Sequence, residues 1–308
     1  MRIAHNTHVQ LAFHFPPERS KHRAMNEYAP HIQIHSSIAA RDQFGTAISR
    51  DGTLIAYDRS GRGSAVVVID GTFGSRTFGP NVKLPAQLSA RHTVFHYDRR
   101  GRGDSGDTRP YAVAREVEDL EAVIDAAGGQ ACVYGISSGA VLAVDAARRL
   151  PDKITKLAIY EPSCVVDDSR APWPADYVDR VTQLVASGRR GEAVKLWMRQ
   201  AAALPAPLIA LTRVLPAWAR LCAAAETIIR DGQVMAGTGA GNPLPTERFR
   251  VEVPTLVIDG AKSPHWLHHS ADAFAALLPN AQRQTLAGQT HFVKPAAIAP
   301  ALTRFFAA

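Results

Sequence analysis

From residue 46 onward, short apolar runs alternate with longer stretches whose apolar positions recur at helical spacing. The run Ala65-Val66-Val67-Val68-Ile69 is unbroken and mostly β-branched, the pattern of a strand buried on both faces. Shorter runs at 93–97, 132–135, 156–160, 255–258 and 283–286 read as further strands. Residues 46–49 and 53–57, joined by Arg50-Asp51-Gly52, read as an antiparallel hairpin. Over 111–127 the residues Val113, Val117, Leu120, Ile124 and Ala127 share one helical face, and Gly128 supplies a stop. Helices are also expected over 138–149, 266–278 and 296–306. Strands that alternate with helices in this way predict an α/β fold, a mostly parallel sheet covered on both faces.

Two regions break the alternation. Residues 1–45 hold His5, His8, His14, His22, His31 and His35, half of the twelve histidines, with mixed charge and little periodicity. Their irregular spacing is a poor metal-binding pattern, and the apolar stretch at Leu11-Ala12-Phe13 is too short and interrupted for a secretory signal. A poorly ordered extension is the expectation, and Met25 is an alternative start. Residues 170–249 are rich in Ala and Leu, broken by Pro174, Pro205, Pro207 and Pro216, and carry Trp173, Trp197 and Trp218. They read as a helical cap inserted between two strands, with side chains that either line an apolar pocket or pack the cap against itself. The core is then 46–169 together with 250–308.

Composition narrows the classes. A chain of 308 residues can bury a substantial core, and 46% hydrophobic with 20% charged residues is ordinary for a soluble globule. No apolar run has the length of a bilayer span, so no membrane partner is expected. Cys132, Cys164 and Cys222 are odd in number and widely spaced, which argues against a disulfide framework or a zinc site. A reduced, cytoplasmic protein is the expectation. The net charge of +7 comes from scattered Lys and Arg with no aromatic-interleaved stripe, so nucleic acid is not an expected partner.

The chemistry is concentrated in Val133-Tyr134-Gly135-Ile136-Ser137-Ser138-Gly139-Ala140. It reads as strand, sharp turn and helix, with Ser137 at the apex and a glycine two residues away on either side. The helix that follows offers unpaired N–H groups and a positive dipole end beside the hydroxyl. This G-x-S-x-G pattern is a nucleophile elbow. A serine needs a base, and His291, in Gly288-Gln289-Thr290-His291 after the last strand, falls on the same sheet edge. His265, His268 and His269 open a helix and are expected in solvent, while His92 and His96 belong to an inner strand.

Taken together, residues 46–308 resemble the α/β-hydrolase family. Ile69-Asp70-Gly71-Thr72-Phe73-Gly74 matches the loop after its third strand, and Asp98-Arg99-Arg100-Gly101-Arg102-Gly103-Asp104-Ser105 its D-x-R-G-x-G-x-S loop. Residues 254–260 and the His291 turn match its last two strands. The resemblance implies an eight-stranded sheet, a helical cap after strand six and an oxyanion hole. Its donors would be the backbone N–H groups of Thr72 and Ser138. Asp70 stands where the family usually has histidine, a departure that leaves a backbone role intact.

The acid departs further. The family's Gly-x-x-Asp-Pro becomes Gly260-Ala261-Lys262-Ser263-Pro264 here, and serine cannot carry the charge that stabilises an imidazolium. A subgroup of related haloalkane dehalogenases carries the acid at the end of strand six, which corresponds to Glu161 in Leu157-Ala158-Ile159-Tyr160-Glu161-Pro162. Asp259, Asp167 and Asp168 are the other candidates. Gly101-Arg102-Gly103-Asp104-Ser105-Gly106 is a literal G-x-G-x-x-G, but the next helix begins too late to meet a pyrophosphate. Arg100 is instead expected to pin that loop through ion pairs.

The expected activity is hydrolysis of a carboxylic ester or lactone of a small apolar substrate by Ser137, His291 and Glu161, without cofactor or metal. Serine at the elbow argues against haloalkane and epoxide chemistry, which need aspartate there. The same parts also serve haloperoxidases, thioesterases, amidases and C–C bond hydrolases. Two rivals stand outside hydrolysis: a binding protein or cyclase on the same fold, and an oxidoreductase using the glycine loop. Oligomeric state is not legible.

Overall fold

The computed structural model describes residues 43–307, so the histidine-rich extension and Met25 lie outside the described residues. Its centre is an eight-stranded sheet. In chain order the strands are β1 (Gln43–Ile48), β2 (Leu54–Gly61), β3 (Ser64–Ile69), β4 (His92–Tyr97), β5 (Ala131–Ile136), β6 (Ile154–Tyr160), β7 (Thr255–Gly260) and β8 (Ala281–Leu286). They lie side by side as β1-β2-β4-β3-β5-β6-β7-β8. β1 and β2 form the hairpin, β2 runs antiparallel to β4, and every later pairing is parallel. The α/β expectation and the mostly parallel sheet therefore hold.

The strand order creates the site. β3 lies between β4 and β5, so its outgoing connection runs to one side of the sheet while that of β5 runs to the other. In an open parallel sheet this reversal leaves a crevice beyond the carboxyl ends of the two strands. The loops opening at Asp70 and Ser137 both start there.

Side-chain alternation along β3 divides the core. Val67 and Ile69 face α2 (Val113–Ala126) and α3 (Ser138–Arg149), in a cluster that also holds Ala271 and Phe274 of α10 (His265–Leu277). Val66 and Val68 point the other way, toward Leu84 and Leu88 of α1 (Leu84–Leu88) and Ile298, Leu302 and Phe305 of α11 (Pro295–Ala307). Each such aliphatic side chain contributes about 1.5–3 kcal/mol by burial. Burial on both faces explains why β3 has no alternation in its sequence.

Six helices intervene between β6 and β7: α4 (Tyr177–Ala186), α5 (Arg190–Gln200), α6 (Ala206–Thr212), α7 (Ala217–Ala223), α8 (Thr227–Val234) and α9 (Thr246–Phe249). Tyr177, Val181, Val194, Met198, Ile209 and Ile228 form a separate apolar cluster there, which Phe73 of the β3 loop joins. Trp173, Trp197 and Trp218 pack against this cluster.

The differences from the sequence expectation are local. β1 begins at Gln43, three residues before the expected strand. The helix after the glycine loop begins at Val113, because Ala112 stays extended (φ −150°, ψ 150°). β8 begins at Ala281, where an edge strand with half-exposed polar residues leaves no apolar signal. α1, only five residues long, is too short to show a period.

Candidate active site

Ser137 closes β5 and opens α3 with φ 59° and ψ −126°, a left-handed conformation that costs a non-glycine residue of order 1–3 kcal/mol. Its N–H donates to Tyr160 O (3.0 Å), and its own carbonyl receives Ala140 N–H (3.0 Å). The flanking glycines are needed for clearance. A Cβ on Gly135 would lie 2.4 Å from Gly139 O, and one on Gly139 would lie 2.6 Å from Asp70 O. A Cβ on Gly71 would come within 2.9 Å of Ser137 Cβ. The elbow and the β3 loop thus touch at a point where only glycine fits.

The Ser137 hydroxyl shares a hydrogen bond with Ser163 Oγ (2.9 Å). It is not hydrogen-bonded to His291 in this structure. Ser163 was not singled out by sequence, since no local pattern marks it. It follows Glu161-Pro162 and also bonds back to Glu161 O (3.3 Å).

Glu161 is fully buried at the end of β6 and has φ 43°. Its Oε2 lies 2.7 Å from His291 Nδ1. Its Oε1 accepts from Gly260 N–H (2.7 Å) and Ser263 Oγ–H (2.5 Å). A carboxylate accepts from Nδ1–H in such a pair, and the tautomer with its proton on Nδ1 leaves Nε2 as an acceptor. The His291 turn is held from below by Tyr160 Oη, which donates to Thr290 O (2.6 Å), and from the side by Lys262 N–H on Gln289 O (2.8 Å). Gly260 permits this approach, because a Cβ there would sit 2.5 Å from Gln289 O.

The other carboxylates considered lie elsewhere. Asp259 is buried at the end of β7 but is gripped by Arg283 through Nη1 (2.9 Å) and Nη2, and by His268 Nδ1 (2.5 Å). Burial raises its pKa, yet the bonds from Arg283, His268 and Thr285 outweigh that and hold it below the usual carboxylate range. Asp167 bonds His269 (2.6 Å), and Asp168 is exposed. His265 and His269 are exposed, as expected, although His269 Nδ1 meets Asp167, whereas His268 is half-buried against Asp259, a correction to its expected place in solvent.

Thr72 and Ser138 come together across the crevice, with Thr72 Oγ1 and Ser138 Oγ 3.4 Å apart. Among the described residues the N–H of Thr72 meets no acceptor, and Ser138 N–H belongs to the unpaired first turn of α3. Asp70 turns away from them, accepting from Asn81 Nδ2 (2.8 Å) and bonding His96 Nε2 (2.7 Å).

Beside this pair lies a buried cluster of charges with no local sequence signal. Asp231, from α8, accepts Ser138 Oγ–H (2.8 Å) and Arg99 Nη1 (2.7 Å) on Oδ1, and Arg102 Nη2 (2.8 Å) on Oδ2. Arg99 also makes a two-pronged bond to Glu116 (2.6 and 2.7 Å). Burial raises Asp231, but Arg102 and Arg99 overcome it and hold the carboxyl below its ordinary value. Arg100, as expected, is ion-paired, with Asp119 (2.7 and 2.6 Å) and Asp51 (2.9 Å). The glycines of the G-x-G-x-x-G stretch serve these contacts: a Cβ on Gly101 would strike Arg230 and one on Gly103 would strike Asp98.

Comparison with known proteins agrees with this architecture. Residues 66–301 match the model of the alpha/beta hydrolase family. The crystal structure of an alpha/beta hydrolase from Sphaerobacter thermophilus is 48% identical, with a TM-score of 0.79 over 85% of this chain and 100% of that one. The enol-lactonase from Burkholderia xenovorans shares the fold at 20% identity, with a TM-score of 0.62 over 86% of this chain and 100% of that one. RutD of Azorhizobium caulinodans, whose name carries a provisional assignment to carbamate hydrolysis, is 32% identical over 106 residues. That match spans 33% of this chain and 39% of RutD. The chain belongs to the alpha/beta hydrolase family.

Proposed function

We propose that the protein is a cofactor-free serine hydrolase of carboxylic esters or lactones. Ser137 is its nucleophile, His291 its base and Glu161 its acid. One observation carries this reading: a fully buried glutamate, without an arginine partner among the described residues, meets His291 Nδ1 at 2.7 Å on the sheet edge that bears the strained Ser137.

In the proposed cycle the Ser137 hydroxyl rotates from Ser163 toward His291 Nε2, which takes its proton as Oγ attacks the substrate carbonyl. The Thr72 and Ser138 N–H groups hold the resulting oxyanion, each donor of this kind being worth about 10²–10³ in turnover. Glu161 stabilises the imidazolium, which returns the proton to the departing alcohol. Water then repeats the sequence on the acyl-enzyme. Phe73, next to Thr72, packs edge-on against Trp197 with ring centroids 4.9 Å apart. These rings favour a small apolar acyl group.

The test is covalent labelling of Ser137 by a fluorophosphonate, together with a panel of short to medium acyl esters and lactones. Wild type should label and turn over at least one class, and Ser137→Ala should do neither. An unlabelled wild type that leaves p-nitrophenyl esters intact would favour a binding protein on this fold.

A further inference from the structure

We propose that Asp231 and Arg102 are positioning residues that set the oxyanion hole from both sides, an inference that rests on the serine-hydrolase reading above. The carbonyl of Gly71 and the N–H of Thr72 belong to one peptide plane, so whatever fixes the oxygen aims the hydrogen. Arg102 Nη1 donates to Gly71 O at 2.5 Å. Gly74 N–H reaches the same oxygen at 3.1 Å. Arg102 Nη2 is in turn held by Asp231 Oδ2 at 2.8 Å. The other oxygen of Asp231 receives the Ser138 hydroxyl at 2.8 Å. One carboxylate therefore reaches the Thr72 peptide through a guanidinium and the second donor residue directly.

The arrangement has an electrostatic effect as well as a geometric one. A cation on a peptide oxygen draws charge from the amide and makes its N–H a stronger donor, an effect that grows in a dry site. Arg102 and Asp231 are both buried, at 6% and 3% exposure. Arg99 and Glu116 complete the cluster with one charge of each sign, so the site gains a polarised donor without net charge. Asp231 belongs to α8, in the helical insertion, whereas Thr72 and Ser138 belong to the core. The segment between β6 and β7 thus bears on the reacting oxygen as well as on the substrate's apolar part.

Arg102→Lys keeps the charge against Asp231 but has no fork to span Asp231 and Gly71 O. Asp231→Asn keeps the shape and removes the charge. With sites counted by fluorophosphonate end-point titration, each should lower kcat for p-nitrophenyl butyrate by about 10- to 100-fold with KM within about threefold. Affinity for an alkylboronic acid, which forms a tetrahedral anion on Ser137, should fall by the same factor, while that for butyrate stays within about twofold. The lysine variant should retain more than Arg102→Met. Ser138→Ala, which keeps the backbone donor and all charges, covers the case in which Asp231→Asn fails to fold; it should lose about 3- to 10-fold in both kcat and boronate affinity. Wild-type kcat and boronate affinity in Arg102→Lys and Ser138→Ala would overturn the inference and leave the hydrolase reading standing. A wild type that neither labels nor turns over esters would overturn both.

Discussion

Glu161 and Asp259 end neighbouring strands, and both carboxylates are fully buried, yet their surroundings differ in kind. Asp259 is neutralised by Arg283 and further bonded to His268, which holds it ionised as a structural anchor. Glu161 receives a peptide N–H, a hydroxyl and an imidazole, with no guanidinium among its partners in the described residues. A carboxylate already paired with arginine has little field left for a histidine whose charge comes and goes. One held by neutral dipoles keeps its charge available. What suits a buried acid to orient a catalytic base is therefore the absence of a permanent counter-ion.

This contrast can be broken by mutation. Ser137→Ala and His291→Ala should each cut ester turnover at least about 10³-fold with the circular dichroism spectrum unchanged. Glu161→Gln should lower kcat about 10²- to 10⁴-fold, because an amide cannot stabilise the imidazolium. If Asp259→Asn were the more damaging of the two, the acid would belong to strand seven. Removing only a neutral donor, Ser263→Ala should reduce kcat about 3- to 10-fold. Asp259→Asn itself should leave kcat within about threefold and lower unfolding stability by about 1–3 kcal/mol in urea titration. Its stability should also become less sensitive to acid. Asp259 is depressed in the folded state, so its contribution is full above the unfolded value near about pH 3.9 and is lost as pH falls through the lower folded one. Wild type should therefore lose more stability than Asp259→Asn on acidification below about pH 4.

Much of the molecule is legible in its sequence because the causes are local. The unbroken run at β3, the glycines either side of Ser137 and the apolar face of α2 each express a constraint within a few residues. The cluster around Asp231 is invisible at that range, since its bond to Ser138 joins residues 93 apart. The contact between Glu161 and His291 spans 130 residues. The sequence favours Glu161 over Asp259, Asp167 and Asp168 by its place after strand six, and the partners in space then differ for each. Ser163 has no signal at all, because its bond to Ser137 depends on how the chain turns after Pro162. The alternative dinucleotide pattern shows the opposite hazard: Gly101 and Gly103 are favoured there by their positive φ and by the Arg230 and Asp98 side chains that press against them.

The 2.5 Å contact between Ser263 and Glu161 has an evolutionary reading. Two separate stretches of chain arrive at one spot beside the histidine, so the negative group can be handed from one to the other without moving in space. A protein carrying acids from both stretches would have to share a proton between them, because two carboxylates that close cannot both ionise. The exchange should be reversible in the laboratory: Ser263→Asp combined with Glu161→Ala ought to recover a measurable part of the turnover that Glu161→Ala alone loses.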